Sequence, residues 1–207
     1  MNPYPKIQNL YSFDQETKTR TTAFTCAEFG YLSACMWSFT EKIDGTNIRV
    51  IYDEDGRCEI RGRTDKAQLH PELMTAIQLM MAPVELTSTT LYGEGYGAGI
   101  QTGGCYRADK SFILFDVYDH EHDSFLDQEE LTVFAEQYSL PLVPTICVDT
   151  LNGAYRRVQA GLRSTFGNFH AEGLVGKPTV PVRGVRGRRL RVKIKHRDYF
   201  GKHLTPM

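Results

Sequence analysis

Apolar positions along this chain recur mostly with a period of two. Residues 48–52 and 57–61 are strand-like runs on either side of Asp53-Glu54-Asp55-Gly56, and an acidic turn closed by glycine predicts a β-hairpin. Residues 111–118 (SFILFDVY) read as a buried strand and residues 190–194 as another. Helical spacing predicts three helices. Pro71–Met81 opens with proline in the first turn, 127–138 opens on Asp127 ahead of two glutamates, and 149–162 opens on Asp149 and closes near Gly161. Strands outnumber helices and do not alternate regularly with them. The pattern therefore predicts an α+β fold with antiparallel sheets rather than a doubly wound parallel sheet. No repeat or low-complexity linker marks a boundary, so a single domain over 1–207 is expected.

Composition changes this picture little. A hydrophobic content of 41% and a charged content of 24% are those of an ordinary soluble globular protein. No apolar run reaches the length of a membrane span, and the start MNPYPKIQNL lacks a signal-peptide core, so an intracellular, cytoplasmic protein without a membrane partner is expected. Five cysteines form no CxxC pair, which argues against a zinc ribbon or a disulfide framework.

Charge is more telling. Residues 177–202 carry ten Lys/Arg against the single acid Asp198, leaving 14 basic and 24 acidic residues in the rest of the chain. A basic stretch on an acidic body suits a polyanionic partner, nucleic acid or nucleotide. Val182, Val185, Leu190, Val192 and Ile194 interleave with the charges, so this stretch is expected to form a strand with one basic face.

Candidate chemistry starts at Lys42, where the apolar run Trp37–Glu41 gives way to the polar turn Asp44-Gly45-Thr46-Asn47. A structural lysine prefers a solvated face. One at a site wall, near other cations, loses its proton more readily and can act as a nucleophile. The alternative is a strand running into a turn with a surface lysine. Arg63, in Arg61-Gly62-Arg63-Thr64, follows the hairpin and can return to grip a phosphate. Glu94 sits in Leu91-Tyr92-Gly93-Glu94-Gly95-Tyr96-Gly97, either a place where a ligand approaches the backbone or a glycine-rich turn with an exposed glutamate. In FILFDV, Phe112 reads as core and Phe115 as a ring able to stack on a purine. Glu172 opens an apolar run where a carboxylate could hold a hard cation. Lys193 and Lys195 fall on one face of a strand, costly to bury unless an anion lies between them. His120 and His122 read as solvated loop side chains.

Taken in order, KIDGTN, RGRT, LYGEGYG, FILFDV, EGLV and KIK resemble the motif series of the covalent nucleotidyltransferases, the superfamily of polynucleotide ligases and mRNA capping enzymes. The GTN ending, and the TEK that leads into the lysine, resemble the RNA ligase 2 family more than DNA ligases. The resemblance implies a ligase adenylation domain with antiparallel sheets flanked by helices, using ATP and Mg²⁺ or Mn²⁺. Lys42 would attack the α-phosphate of ATP to form lysyl-AMP. Arg63 would contact phosphate, Glu94 the ribose, Phe115 the adenine, and Lys193 and Lys195 the α-phosphate. Glu172 would bind the metal, and Glu41 and Asn47 would lie near the nucleotide.

The implied partner is RNA, as a nicked duplex or as 5′-phosphate and 3′-hydroxyl ends, in a repair setting that includes phage-encoded systems. A minimal DNA ligase acting on DNA-containing strands would use the same residues. A non-catalytic ligase-like module would bind nucleic acid without them all. Family members carry a further domain after the KxK strand, whereas twelve residues follow Lys195 here. The expectation is an adenylation domain with no appended domain, in which Arg183, Arg186, Arg188 and Arg189 take over part of the grip on RNA.

Overall fold

Alternating apolar positions build two five-stranded sheets, one in each of two compact units. The computed structural model describes residues 3–180 and 182–200. Elements are numbered along the chain. One unit, here the lysine unit, comprises Pro5–Ile43 and the chain from Pro144 onward; the other, the hairpin unit, comprises Asp44–Val143 with the N-terminal residues through Tyr4.

In the lysine unit, β1 (Gln8–Asn9), β12 (Val192–Lys195), β11 (Gly173–Pro178), β4 (Trp37–Glu41) and β10 (Thr145–Asp149) lie side by side in that order. All pairings are antiparallel except β1 with β12. A separate two-stranded ribbon joins β2 (Tyr11–Phe13) to β3 (Arg20–Phe24). Trp37, Phe39, Leu174, Val192 and Ile194 turn one sheet face into a core with Leu10, with Phe29 of α1 (Ala27–Tyr31), and with Leu151, Ala154 and Val158 of α4 (Leu151–Gln159). A short α5 (Arg197–Phe200) follows β12.

In the hairpin unit the order is β6 (Cys58–Gly62), β5 (Thr46–Tyr52), β7 (Thr89–Tyr96), β8 (Ser111–Asp119) and β9 (Ser124–Phe125), antiparallel throughout. Ile48, Val50, Leu91, Phe112 and Leu114 form its core with Leu73, Ile77 and Met81 of α2 (Pro71–Met81) and Leu131 and Ala135 of α3 (Gln128–Gln137). The α+β fold with antiparallel sheets is thus as expected.

The predicted helices form where their caps are. Pro71 occupies the first turn of α2. Asp127 accepts from the Glu129 and Glu130 amides while Glu130 reaches back to the Asp127 amide, a capping box that starts α3. The third helix begins later than expected. Asp149 ends β10 opposite Trp37, and Thr150 is the cap, its Oγ1 accepting from the Gly153 amide. A second departure lies in the basic stretch. Among the described residues from 182 on, Val192–Lys195 is the strand; Val185–Gly187 is a turn of 3₁₀ helix, and Arg183 and Arg189 face each other in an isolated bridge. Two glycines and a proline among residues 181–187 interrupt the alternation, which explains why a ladder does not form there. Leu190 is nevertheless buried, as its place in the pattern requires.

Candidate active site

Lys42 stands one residue past the end of β4, and its amide donates to the Gly173 carbonyl at 2.9 Å, which holds it beside the start of β11. Its Nζ lies 2.6 Å from Glu172 Oε2. The Glu172 carboxylate is only 6% exposed, so it faces protein rather than water. Lys195 Nζ and an Arg197 guanidinium nitrogen each lie 3.9 Å from its other oxygen. Three cationic side chains therefore converge on one carboxylate. Gly173, the next residue, has φ of +154°, and a Cβ there would collide with the Ile194 carbonyl oxygen, so glycine is what lets β11 start so close to β12. Lys193 and Lys195 alternate with the core residues Val192 and Ile194 and so share the sheet face away from the core.

Glu41 behaves differently from its neighbour. It falls in register with Trp37 and Phe39 on the core side of β4 and is 1% exposed. Its carboxylate accepts from Ser164 Oγ at 2.5 Å and from the Thr165 amide and Oγ1 at 2.9 and 2.8 Å. Three donors satisfy a buried carboxylate without a cation. This fastens the 164–165 loop to the strand that carries Lys42.

Asp44 begins the hairpin unit's share of the motif. Its carboxylate accepts from Thr102 Oγ1 at 2.6 Å, and its amide donates to Tyr106 Oη at 3.3 Å. At Gly45 a Cβ would meet the Gly95 carbonyl oxygen and the Glu94 side chain, so the turn can approach β7 only as glycine. Asn47 of β5 and Glu94 of β7 are direct cross-strand partners on the sheet face opposite Ile48 and the core. The Asn47 Oδ1 is buried and has no hydrogen-bond partner among the described residues. Glu94 therefore lies in a strand, not in the exposed turn that was the competing reading of its glycines.

Phe115 sits at an irregularity. Tyr92 pairs with Asp116 and Gly93 with Leu114, so Phe115 is the extra residue of a β-bulge on β8. Its ring meets Tyr4 edge-on at 5.0 Å, and Tyr4 Oη donates to the Asp116 carboxylate at 2.6 Å. Arg63 lies one residue beyond the Ile48–Gly62 pair and is exposed. A different arginine is buried in the sheet, opposite Arg61. Arg49, 1% exposed, donates to the Gly62 carbonyl at 2.9 Å and to Asp65 at 2.7 Å, and Arg49 and Arg61 hold the Asp65 carboxyl below its usual range.

Lys42 and Lys195 are thus both in ion-pair range of Glu172, Asn47 and Glu94 are neighbours, and Phe115 shares its surroundings with Tyr4 and Asp116. Sequence reasoning missed Arg197, Tyr4 and Asp116. For Arg197 a signal existed, a third basic residue two positions after KIK; for Tyr4 none did, because its partners are 88 or more positions away. Of the expected RNA-contacting arginines, Arg183 donates to the Gly187 carbonyl at 3.3 Å and Arg188 lies 3.9 Å from Glu28. The Arg186 side chain lies outside the described residues.

A metal could be held at Glu172 only in part by protein. Among the described residues no group of three or more Asp, Glu, His or Cys side chains is placed to form a cage. One carboxylate nevertheless fits Mg²⁺ or Mn²⁺ of the kind that keeps waters and takes substrate phosphate oxygens. No helix among the described residues is long and apolar enough to cross a membrane. The described cysteines are unpaired.

A family model described as RNA ligase matches residues 36–195. No match is found among curated proteins. Solved structures of the Naegleria gruberi RNA ligase share the fold. A lysine-to-alanine variant with ATP and Mn superposes with a TM-score of 0.61 at 19% identity over 96% of this chain and 64% of that one. For a lysine-to-methionine variant with AMP and Mn, the TM-score is 0.62 at 17% identity over 97% and 65%. For the form with PPi, it is 0.59 at 20% identity over 92% and 59%. The present chain therefore spans less than two thirds of the Naegleria chains.

Proposed function

The chain belongs to the RNA ligase family, and on that premise we propose that it is an ATP-dependent RNA ligase acting through a lysyl-AMP intermediate on Lys42. The observation that carries this reading is the convergence of Lys42, Lys195 and Arg197 on the buried Glu172 carboxylate. Such a cluster binds anionic oxygens well once phosphate is present. The Naegleria structures with ATP, AMP and Mn support the choice of nucleotide and of a divalent cation.

In this reading the neutral Lys42 Nζ attacks the α-phosphorus of ATP. A P–N bond forms, the bond to the bridging β-phosphate oxygen breaks, and pyrophosphate leaves. Lys193 and Lys195 stabilise the charge that builds on the phosphoryl oxygens. Lys42 rests as an ion-pair partner of Glu172, which favours its charged form; neighbouring cations favour the neutral amine. Glu172, together with phosphate, would hold Mg²⁺ or Mn²⁺, which when bound would supply Lewis-acid polarisation. Asn47 and Glu94 orient the ribose, Phe115 stacks on the adenine, and Arg63 contacts phosphate and the 5′-phosphate end. AMP passes from Lys42 to an RNA 5′-phosphate, and an RNA 3′-hydroxyl then displaces it to close the strand. Positioning and electrostatics carry such phosphoryl-type chemistry more than acid–base groups do. Arg183, Arg186, Arg188 and Arg189 hold the RNA backbone.

A sealing assay tests this proposal. With ATP and Mg²⁺ or Mn²⁺, a nicked RNA duplex carrying 5′-phosphate and 3′-hydroxyl ends should be joined. Joining only of DNA nicks would move the reading to a DNA ligase. Labelling of the protein by GTP in place of ATP would move it to a capping-type enzyme.

A further inference from the structure

Exposed apolar side chains gather in one part of the lysine unit. Among the described residues nine large hydrophobic side chains stand exposed, and five come from two short segments: Tyr31 and Met36, and Val180, Val182 and Val185. The segments are joined by hydrogen bonds. The Val185 amide donates to Glu28 Oε1 at 3.1 Å, and the Thr179 amide donates to the Met36 carbonyl at 3.1 Å. Glu28 and Tyr31 are three apart on α1, so they lie on one side of that helix beside the 183–189 loop. Tyr31 is 85% exposed, a large ring left open to solvent.

This patch is not a plain hydrophobic surface. The loop folds back on itself through the Arg183–Arg189 bridge and the bond from Gly184 N–H to the Arg188 carbonyl, and its rim carries Arg183 and Arg188, both exposed. The nearby acid Glu28 is already engaged by the Val185 amide and by Arg188. An open aromatic ring on α1 and guanidinium groups on the loop bonded to that helix are the combination that binds single-stranded nucleic acid, with bases on the ring and phosphates on the charges.

We propose that α1 and the 182–189 loop form a binding site for an unpaired stretch of RNA, with Tyr31 stacking on a base and Arg183 and Arg188 holding flanking phosphates. The identity of the polymer rests on the RNA ligase reading. The unpaired state follows from the ring itself, because a base inside a duplex has both faces covered by its neighbours. The site therefore favours substrates with a single-stranded tail over fully paired nicks.

The test is fluorescence anisotropy without ATP, using a short single-stranded RNA and the same sequence as a blunt duplex. The single strand should bind more tightly. Tyr31→Ala should weaken single-strand binding by about tenfold, the typical worth of one stacked base. Tyr31→Phe should retain it, since the ring rather than the hydroxyl makes the contact. Leu79→Ala, which removes an exposed apolar side chain of the hairpin unit, should change nothing. The double variant Arg183→Ala/Arg188→Ala should flatten the salt dependence by about 1.4 in log–log slope, whereas Tyr31→Ala should leave that slope alone. Wild-type affinity in Tyr31→Ala, or equal binding of duplex and single strand, would overturn the proposal and leave the patch to a protein partner. Failure of Lys42 to take label from ATP would overturn the enzymatic reading instead, and leaves this binding result untouched.

Discussion

At the scale of single residues, the candidate chemistry depends on groups whose local bonding is unusual for their type. Asn47 is the clearest case. A buried carbonyl oxygen without a donor is normally unfavourable, and here it lies beside Glu94 on a sheet face turned away from the core. A ligand hydroxyl would satisfy it. Asn47→Ala should therefore change unfolding free energy by less than about 0.5 kcal/mol in urea titrations. The same variant should raise the ATP concentration needed for half-maximal adenylylation about tenfold, the worth of one hydrogen bond. A large stability loss with unchanged ATP dependence would make Asn47 a structural residue. Glu41 shows the opposite pattern. Among the described residues its carboxylate bonds run to Ser164 and Thr165, which tie that loop to the strand carrying Lys42.

At the scale of elements, legibility followed the physics of termini. Pro71 and the Asp127–Glu130 box mark helix starts through contacts within four residues, and both helices form where those residues stand. Asp149 misled because it serves a strand. It pairs with Trp37 at the end of β10, and its carboxylate binds Arg157 at 2.8 Å and the Thr150 amide at 2.8 Å. Arg157 holds the Asp149 carboxyl below its ordinary value. With the folded-state value depressed, the unfolded chain binds the proton more readily, so this contribution is present above the unfolded value of about 3.9 and is lost as pH falls through the folded one. Wild type should accordingly lose stability on acidification below pH of about 4 more steeply than Arg157→Ala, measured as urea midpoints at successive pH values. Equal slopes would show that the pair does not contribute. The basic stretch misled for a related reason: valine alternation suggested a strand, but glycine at 184 and 187 and proline at 181 favour a loop, which instead displays the arginines.

At the scale of the whole molecule, the motif series is shared between two compact units. Lys42, Glu172, Lys193 and Lys195 belong to one, and Asn47, Arg63, Glu94 and Phe115 to the other, with the chain passing between them at Ile43–Asp44. Motif order and α+β class were readable because each motif is local. The bulge at Phe115, the packing of Tyr4 and the closure of Arg197 on Glu172 were not, since each depends on strands or segments distant in sequence meeting in the fold. The central claim remains the reactivity of Lys42. Incubating the protein with ATP labelled at the α-phosphate and Mg²⁺, followed by a denaturing gel, tests it most directly. The wild-type chain should carry a covalent label that is absent in Lys42→Ala. Label that persists in Lys42→Ala, or a wild-type chain that takes none, would contradict it.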